Sequence, residues 1–303
     1  MLTTSKPTVI DSLAQLQALR FSDLAPRREP DKALMCTPDH FRVIDVKNPY
    51  MEGNAGAIDL AKAQAQWEAL KATFEQLGYP VEVIPGAEGC EDMVFAANQT
   101  LPGLDAEEQP YVLLSNMRHP SRQQEVAHYR AWFEARGYRI MTLPNAEMLL
   151  EGQGDALWHP SKKLIWGGYG HRTDRSTYDV VSQMLGVPVV ALKLVTDKFY
   201  HLDTCLSLID ETTAMAVPGA FDAEGIAMLR AAFPKLIEIP ESEALECFAG
   251  NALALGGRHV VMHPGATETV ARLRAHGLDV IEVDTSEYMK SGGSVFCMKM
   301  MIY

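Results

Sequence analysis

The chain has 303 residues, 47% of them hydrophobic and 22% charged, with 39 acidic against 27 basic residues and a formal net charge of −12. That length and balance fit one large or two small globular domains. An acidic chain without a basic run lacks the electrostatic footprint of a nucleic-acid or anionic-membrane binder, although its sign suits a small cationic substrate.

The first twenty residues hold no apolar core of signal-peptide length, and no stretch approaches the length of a membrane span. Five cysteines, Cys36, Cys90, Cys205, Cys247 and Cys297, form no CxxC pair. That argues against a disulfide framework or structural zinc and for a reducing, cytoplasmic setting.

In chain order, the first strong element is a helix over Asp59 to Leu77. Its apolar Trp67, Leu70, Phe74 and Leu77 fall at the 3–4 spacing of one buried stripe. Gly78 follows, at a C-cap position that needs positive φ, and then a strand running to Pro85. The same design recurs four times. Helices over Gln123 to Ala135, Tyr178 to Leu185, Glu224 to Ala232 and Glu268 to His276 lead into strands ending at Pro144, Lys193, Pro240 and Asp284. The repeated starts lie 59, 49, 47 and 44 residues apart, so five α/β units are expected. After each strand a loop leads to a second run expected to be extended: Met93–Ala97, Leu164–Trp166, Cys205–Ile209, Val260–His263 and Val295–Ile302. A Rossmann-like sheet would share the helix–Gly–strand punctuation, but no GxGxxG loop follows any of the strands.

Residues with chemical potential fall just after the repeated strands. Asp92 and Glu151 each follow a strand-ending proline by seven residues, His201 follows Lys193 by eight, and Cys297 follows Asp284 by thirteen. Cys297 comes after Gly292-Gly293, where bare backbone lets a ligand approach closely; a core thiol or a nucleophile would both fit. In Tyr200-His201-Leu202-Asp203, an extended backbone would point His201 and Asp203 the same way, for proton transfer and for holding a cation. A hydrogen-bonded structural His is the plainer alternative, and no HxxxH or HExxH pair supports a metal. Glu151-Gly152-Gln153-Gly154-Asp155 sets two carboxylates in a glycine-rich loop, where solvated acids are ordinary. Asp92 and Asn98 bracket Met93–Ala97 and would share one face of a strand. Arg122 and Arg172 are candidate carboxylate clamps or plain surface charges.

Together these segments resemble the guanidine-modifying superfamily of arginine deiminases, dimethylarginine dimethylaminohydrolases, amidinotransferases and arginine dihydrolase domains. The resemblance is carried by Met35 to Phe41, Asn48 to Asn54, Asp92 to Asn98, Glu151 to Asp155, Gly168 to Arg172, Phe199 to Thr204 and Lys290 to Met298, in the family's order. It implies the α/β fold of a five-bladed ββαβ pentein propeller with pseudo-fivefold symmetry, with residues 35–303 as one catalytic domain and residues 1–34 as an extension, tail or lid.

For the site, the resemblance implies Cys297 as nucleophile, His201 as general acid and base, and Glu151 as its supporting carboxylate. Asp92, Asn98, Asp203 and Asp155 would serve the guanidinium and its network, while Asn54, Arg122 and Arg172 would hold the amino-acid end. One departure stands out: Asn98 replaces the second Asp of deiminases and dimethylargininases, as in the arginine dihydrolase branch. The expected activity is therefore hydrolysis of arginine through a thiouronium, to citrulline or on to ornithine, with no metal or organic cofactor. Dimethylargininase and amidinotransferase chemistry are the alternatives, and a non-catalytic binding protein is a remote one. The expected partner is a small guanidino compound; a homo-oligomer is left open.

Overall fold

The computed structural model describes residues 8–303. Fifteen of its strands form five sheets of one pattern, in which an antiparallel pair is followed by a helix and a parallel third strand. The helices returning each chain to its parallel strand are Leu60–Gln76, Glu125–Glu134, Thr177–Leu185, Ala223–Ala232 and Thr267–Ala275. All five lie within two residues of where periodicity places them, because each buries a continuous apolar stripe against its own sheet. Leu60–Gln76, for instance, buries Trp67, Leu70 and Phe74, each worth about 1.5–3 kcal/mol. Its first turn is closed by Asp59, whose carboxylate accepts from the Lys62 N–H at 3.0 Å. Gly78, Gly137, Gly186 and Gly277 take the expected positive φ after their helices.

The first sheet is completed by the end of the chain. Met300–Ile302 pairs antiparallel with Lys32–Cys36, which pairs parallel with Val81–Ile84. The last strand thereby ties Cys297, a few residues before it, to the first repeat. Residues 8–31 run along the third and fourth units. Val9–Ile10 adds in parallel to Val189–Lys193, and Leu13–Ala18 packs on Ala223–Ala232.

Three expectations about local structure fail. Met93–Ala97 is a series of turns, and the strand begins at Thr100. The Met93 N–H bonds to the Cys90 carbonyl and the Phe95 N–H to the Asp92 carbonyl, closing turns, while the Ala97 N–H reaches the Cys297 carbonyl at 3.2 Å, so the segment never enters a ladder. Likewise only Met300–Ile302 of Val295–Ile302 is a strand, and Cys297 lies in the turn before it. His201 is extended, but Leu202–Thr204 closes into a 3-10 turn, so His201 and Asp203 do not alternate as along a strand. In the first two cases an apolar run is buried without being extended.

Candidate active site

The segments between strands converge at one cavity of about 10 Å³, lined by Lys47, Asp92, Asn98, Arg122, Arg172, His201, Ser291 and Cys297 among others. That volume is close to the minimum for a single water.

The Cys297 side chain is 3% exposed. Its thiol donates to Asp203 Oδ2 at 3.2 Å, and its sulfur accepts from Asn251 Nδ2 at 3.2 Å. The other end of that amide, Oδ1, accepts from the N–H groups of Ser294 at 3.0 Å and Cys297 at 3.3 Å, which fixes the turn carrying the thiol. Gly293 lets the turn pass under an aromatic ring, since a Cβ there would stand 2.3 Å from Phe95. Burial, reinforced by the carboxylate of Asp203, pushes the Cys297 thiol well above its ordinary range. Burial likewise lifts Asp203 to about 7, against the opposing effects of Cys297, Lys299 and Arg122.

His201 Nε2 lies 2.6 Å from Glu151 Oε2. Glu151 is fully buried, yet held well below the usual carboxylate range: burial opposes ionisation, and the Arg172 guanidinium and then His201 outweigh it. Arg172 Nη1 donates to Glu151 Oε2 at 3.1 Å, and the Arg118 N–H to Oε1 at 3.0 Å. Burial, with Arg172 and Arg122 nearby, lowers His201 to about 4 despite Glu151. The imidazole at rest is therefore neutral and donates its Nε2 proton to an anionic Glu151. It is free to accept a second proton at Nδ1.

Asp92 meets Lys47 Nζ at 3.0 Å through Oδ2 and accepts from Ser291 Oγ at 3.0 Å through Oδ1. Burial opposes the Lys47 charge, but Asp92 and Asp45 together raise its pKa. Asn98 Oδ1 accepts from Arg122 Nη1 at 3.1 Å, which orients the amide, since a guanidinium can only donate. Its Nδ2 is left buried without a hydrogen-bond partner among the described residues. The loop glycines matter here, because a Cβ on Gly154 would stand 2.2 Å from Asn98 Nδ2.

The remaining expected residues are placed differently. Asp155 does not line the cavity. It accepts from Thr173 Oγ1 at 2.7 Å and from the Leu202 N–H at 3.0 Å, pinning the turn after His201 from behind. Asn54 is half-buried, donates to the Tyr50 carbonyl and does not line the cavity either, although Lys47, Asn48 and Met51 of the same loop do. Arg122 borders the cavity but is largely spent on the protein. It donates to Glu125 through Nε at 3.1 Å and Nη2 at 3.0 Å, as well as to Asn98 and to the carbonyls of Asp92 and Phe95.

Lys47, Ser291 and Asn251 escaped the sequence reading. Asn251 had one available signal: it sits in the loop after the fourth repeated strand, where the other units carry their polar groups, and follows Gly250. A Cβ on Gly250 would stand 2.2 Å from the Thr204 carbonyl oxygen. Among the described residues, no group of three or more His, Cys, Asp or Glu could hold a metal ion, and no helix is long and apolar enough to cross a membrane.

The family profile "N,N dimethylarginine dimethylhydrolase, eukaryotic" matches residues 40–303. The chain is 37% identical over 269 residues to an N(G),N(G)-dimethylarginine dimethylaminohydrolase of Mycobacterium tuberculosis, covering 89% of this chain and 85% of that one. It is 34% identical over 273 residues to the bifunctional arginine dihydrolase/ornithine cyclodeaminase ArgZ of Synechocystis, but spans only 37% of that longer protein. The crystal structure of the ArgZ N-terminal domain bound to substrate superposes with a TM-score of 0.84 at 33% identity, over 89% of this chain and 97% of that domain.

Proposed function

The chain belongs to the N,N-dimethylarginine dimethylhydrolase family of the pentein superfamily, and on that premise we propose that it hydrolyses the guanidinium of L-arginine through a covalent thiouronium on Cys297. The observation that carries this reading is one cavity bordered by a thiol, a neutral imidazole backed by a buried carboxylate, and Asp92, with Asp203 on the thiol. We read the five sheets as the blades of a five-bladed propeller, residues 35–303 as its catalytic domain, and the cytoplasm as its setting.

Asp92 holds the guanidinium from the cavity wall and Asp203 from behind the thiol, which leaves its central carbon open to the sulfur. Arrival of that cation offsets the neighbouring carboxylates and burial, and the thiol proton passes to His201. The sulfur adds to the carbon. His201, its imidazolium stabilised by Glu151, gives the proton to the departing nitrogen, and ammonia leaves. His201 then takes a proton from water, hydroxide adds to the thiouronium carbon, and collapse returns the thiolate and a ureido product. Because the resting cavity admits about one water, the guanidinium enters only when part of its wall moves.

Asn98 favours a second cycle on the bound ureido group. Its Nδ2 donor has nothing to give to a guanidinium, which also only donates, but it matches a ureido oxygen. Attack on that carbon expels a second ammonia, and hydrolysis of the resulting thiocarbamate yields ornithine and carbon dioxide. The test is product analysis of arginine incubated with the wild-type protein beside Cys297→Ser. Ornithine with two ammonia per arginine is expected. Citrulline accumulating to completion reduces the activity to a single deimination. Dimethylamine from methylated arginine with arginine untouched establishes the second reading, favoured by the mycobacterial relative. Turnover of neither compound rejects guanidine hydrolysis.

A further inference from the structure

Two residues beyond Cys297 stands a charge to which the chemistry above gives no task. Lys299 is fully buried, and its ammonium has no hydrogen-bond partner among the described residues. Its closest aromatic neighbour is Phe296, with Nζ 3.1 Å from the ring centroid. A ring face offsets only part of the hydration such a cation gives up, so an apolar residue would suit this position better for stability alone.

The carboxylate that acts on this charge makes no direct ion pair with it and is also short of partners. Asp203 Oδ2 takes the Cys297 thiol, while Oδ1 is buried without a hydrogen bond among the described residues. The groups acting on the Lys299 charge are Asp203 first and then Cys297, both favouring it against burial. Lys299 and Arg122 in turn favour the ionised form of Asp203. On its far side Lys299 stands in the wall of a second cavity, of about 540 Å³, whose charged lining is Arg27, Glu29, Asp210 and Glu211. There Arg27 is already paired with Glu29, and Asp210 accepts from the Thr212 N–H and hydroxyl.

We propose that Lys299 is the resident counter-cation of the Cys297–Asp203 pair, a positioning residue whose ammonium keeps Asp203 ionised and favours the thiolate before a cationic substrate arrives. The proposal rests on Cys297 being the nucleophile. Burial draws Lys299 down to about 7 and lifts Asp203 to about 7, so the two titrate as a coupled unit near neutrality, each charge favouring the other. Removing the cation raises both macroscopic steps of the Cys297–Asp203 pair. Once a guanidinium is bound it supplies much of the same field, so the free protein depends on Lys299 more than the complex does.

The experiment compares wild type, Lys299→Met and Lys299→Arg. Two readouts are followed against pH: iodoacetamide alkylation of Cys297 without arginine, located by peptide mass spectrometry, and arginine turnover. Lys299→Met should move the alkylation midpoint up by about one pH unit or more. The acid limb of kcat/KM should follow it, that of kcat should move less, and Lys299→Arg should recover part of the shift. Coincident alkylation profiles for wild type and a folded Lys299→Met overturn the proposal. Should Lys299→Met not fold, the Nζ of Lys299 is titrated by NMR in wild-type protein labelled at lysine Cε. An ordinary pKa of about 10.4 that ignores Asp203→Asn overturns the proposal equally. An alkylation shift in Lys299→Met, with a wild-type protein that leaves arginine untouched, would sink the substrate assignment and leave Lys299 its role.

Discussion

Arg122 separates two accounts of the site. As a clamp for the substrate's carboxylate it would be dispensable to the fold, whereas its geometry makes it half of a buried ion pair with Glu125, both nearly inaccessible. Arg122→Met strands the Glu125 carboxylate with Gln99 Nε2 as its remaining partner, at 2.6 Å. Breaking one side of such a pair costs about 3–5 kcal/mol, which lowers Tm by roughly 10 °C for a chain of this size. Burial already lifts Glu125 to about 7 against the opposing Arg122 guanidinium. A carboxyl whose folded pKa lies above its unfolded value adds stability below the unfolded value and loses it as pH rises through the folded one. Without the guanidinium that folded value rises further, so the deficit of Arg122→Met should be smaller at pH 5 than at pH 8. Replacing Glu125 with Met in the same background should recover most of the loss, because a matched apolar pair leaves no charge buried alone. Thermal melts of the three variants at both pH values, with KM for arginine, make the assay. An unchanged Tm with a KM raised tenfold or more would refute the ion-pair account and restore Arg122 as a substrate clamp.

Gly154→Ala drives a methyl to 2.2 Å from Asn98 Nδ2 and 3.4 Å from His201 Cγ, so it should cost about 1–3 kcal/mol and lower kcat by tenfold or more. Gly277→Ala has open space around its Cβ but a φ of 79°, so it should cost about 1 kcal/mol and leave kcat alone. Equal kcat values for the two variants would count against the role given to the Glu151–Asp155 loop. His201, drawn down to about 4, should stay neutral by imidazole NMR from pH 8 to about 5 in the substrate-free protein. Since the unfolded chain protonates this His first as pH falls, stability should rise from pH 4 to about 6.5 by about 3 kcal/mol from this group. A His201 titrating above pH 6 without substrate would contradict the resting state assigned to it.

Much of the architecture was legible from residue order. Each unit needs one amphipathic helix and one apolar strand, and both leave a period that Trp67, Leu70 and Phe74 illustrate. Gly78, Gly137, Gly186 and Gly277 mark the turns because left-handed backbone excludes most side chains. The position of Asp92, Glu151, His201 and Cys297 after successive repeated strands was legible too, since a repeat carries its loops to equivalent places.

Tertiary structure alone decided the partners. An apolar run such as Met93–Ala97 is buried whether it is a strand or a set of turns, so composition could not distinguish the two. The charge state of the site was equally hidden. His201 is neutral because burial outweighs Glu151, and Glu151 is ionised because Arg172, 21 residues away in sequence, reaches its carboxylate. Asn251 and Lys299 acquire meaning only through neighbours far along the chain, Cys297 for the first and Asp203 for the second. Sequence specified which groups the protein possesses and which face of each element is apolar. Folding specified which charges meet, because electrostatic energy depends on distance and burial, and neither is written in residue order.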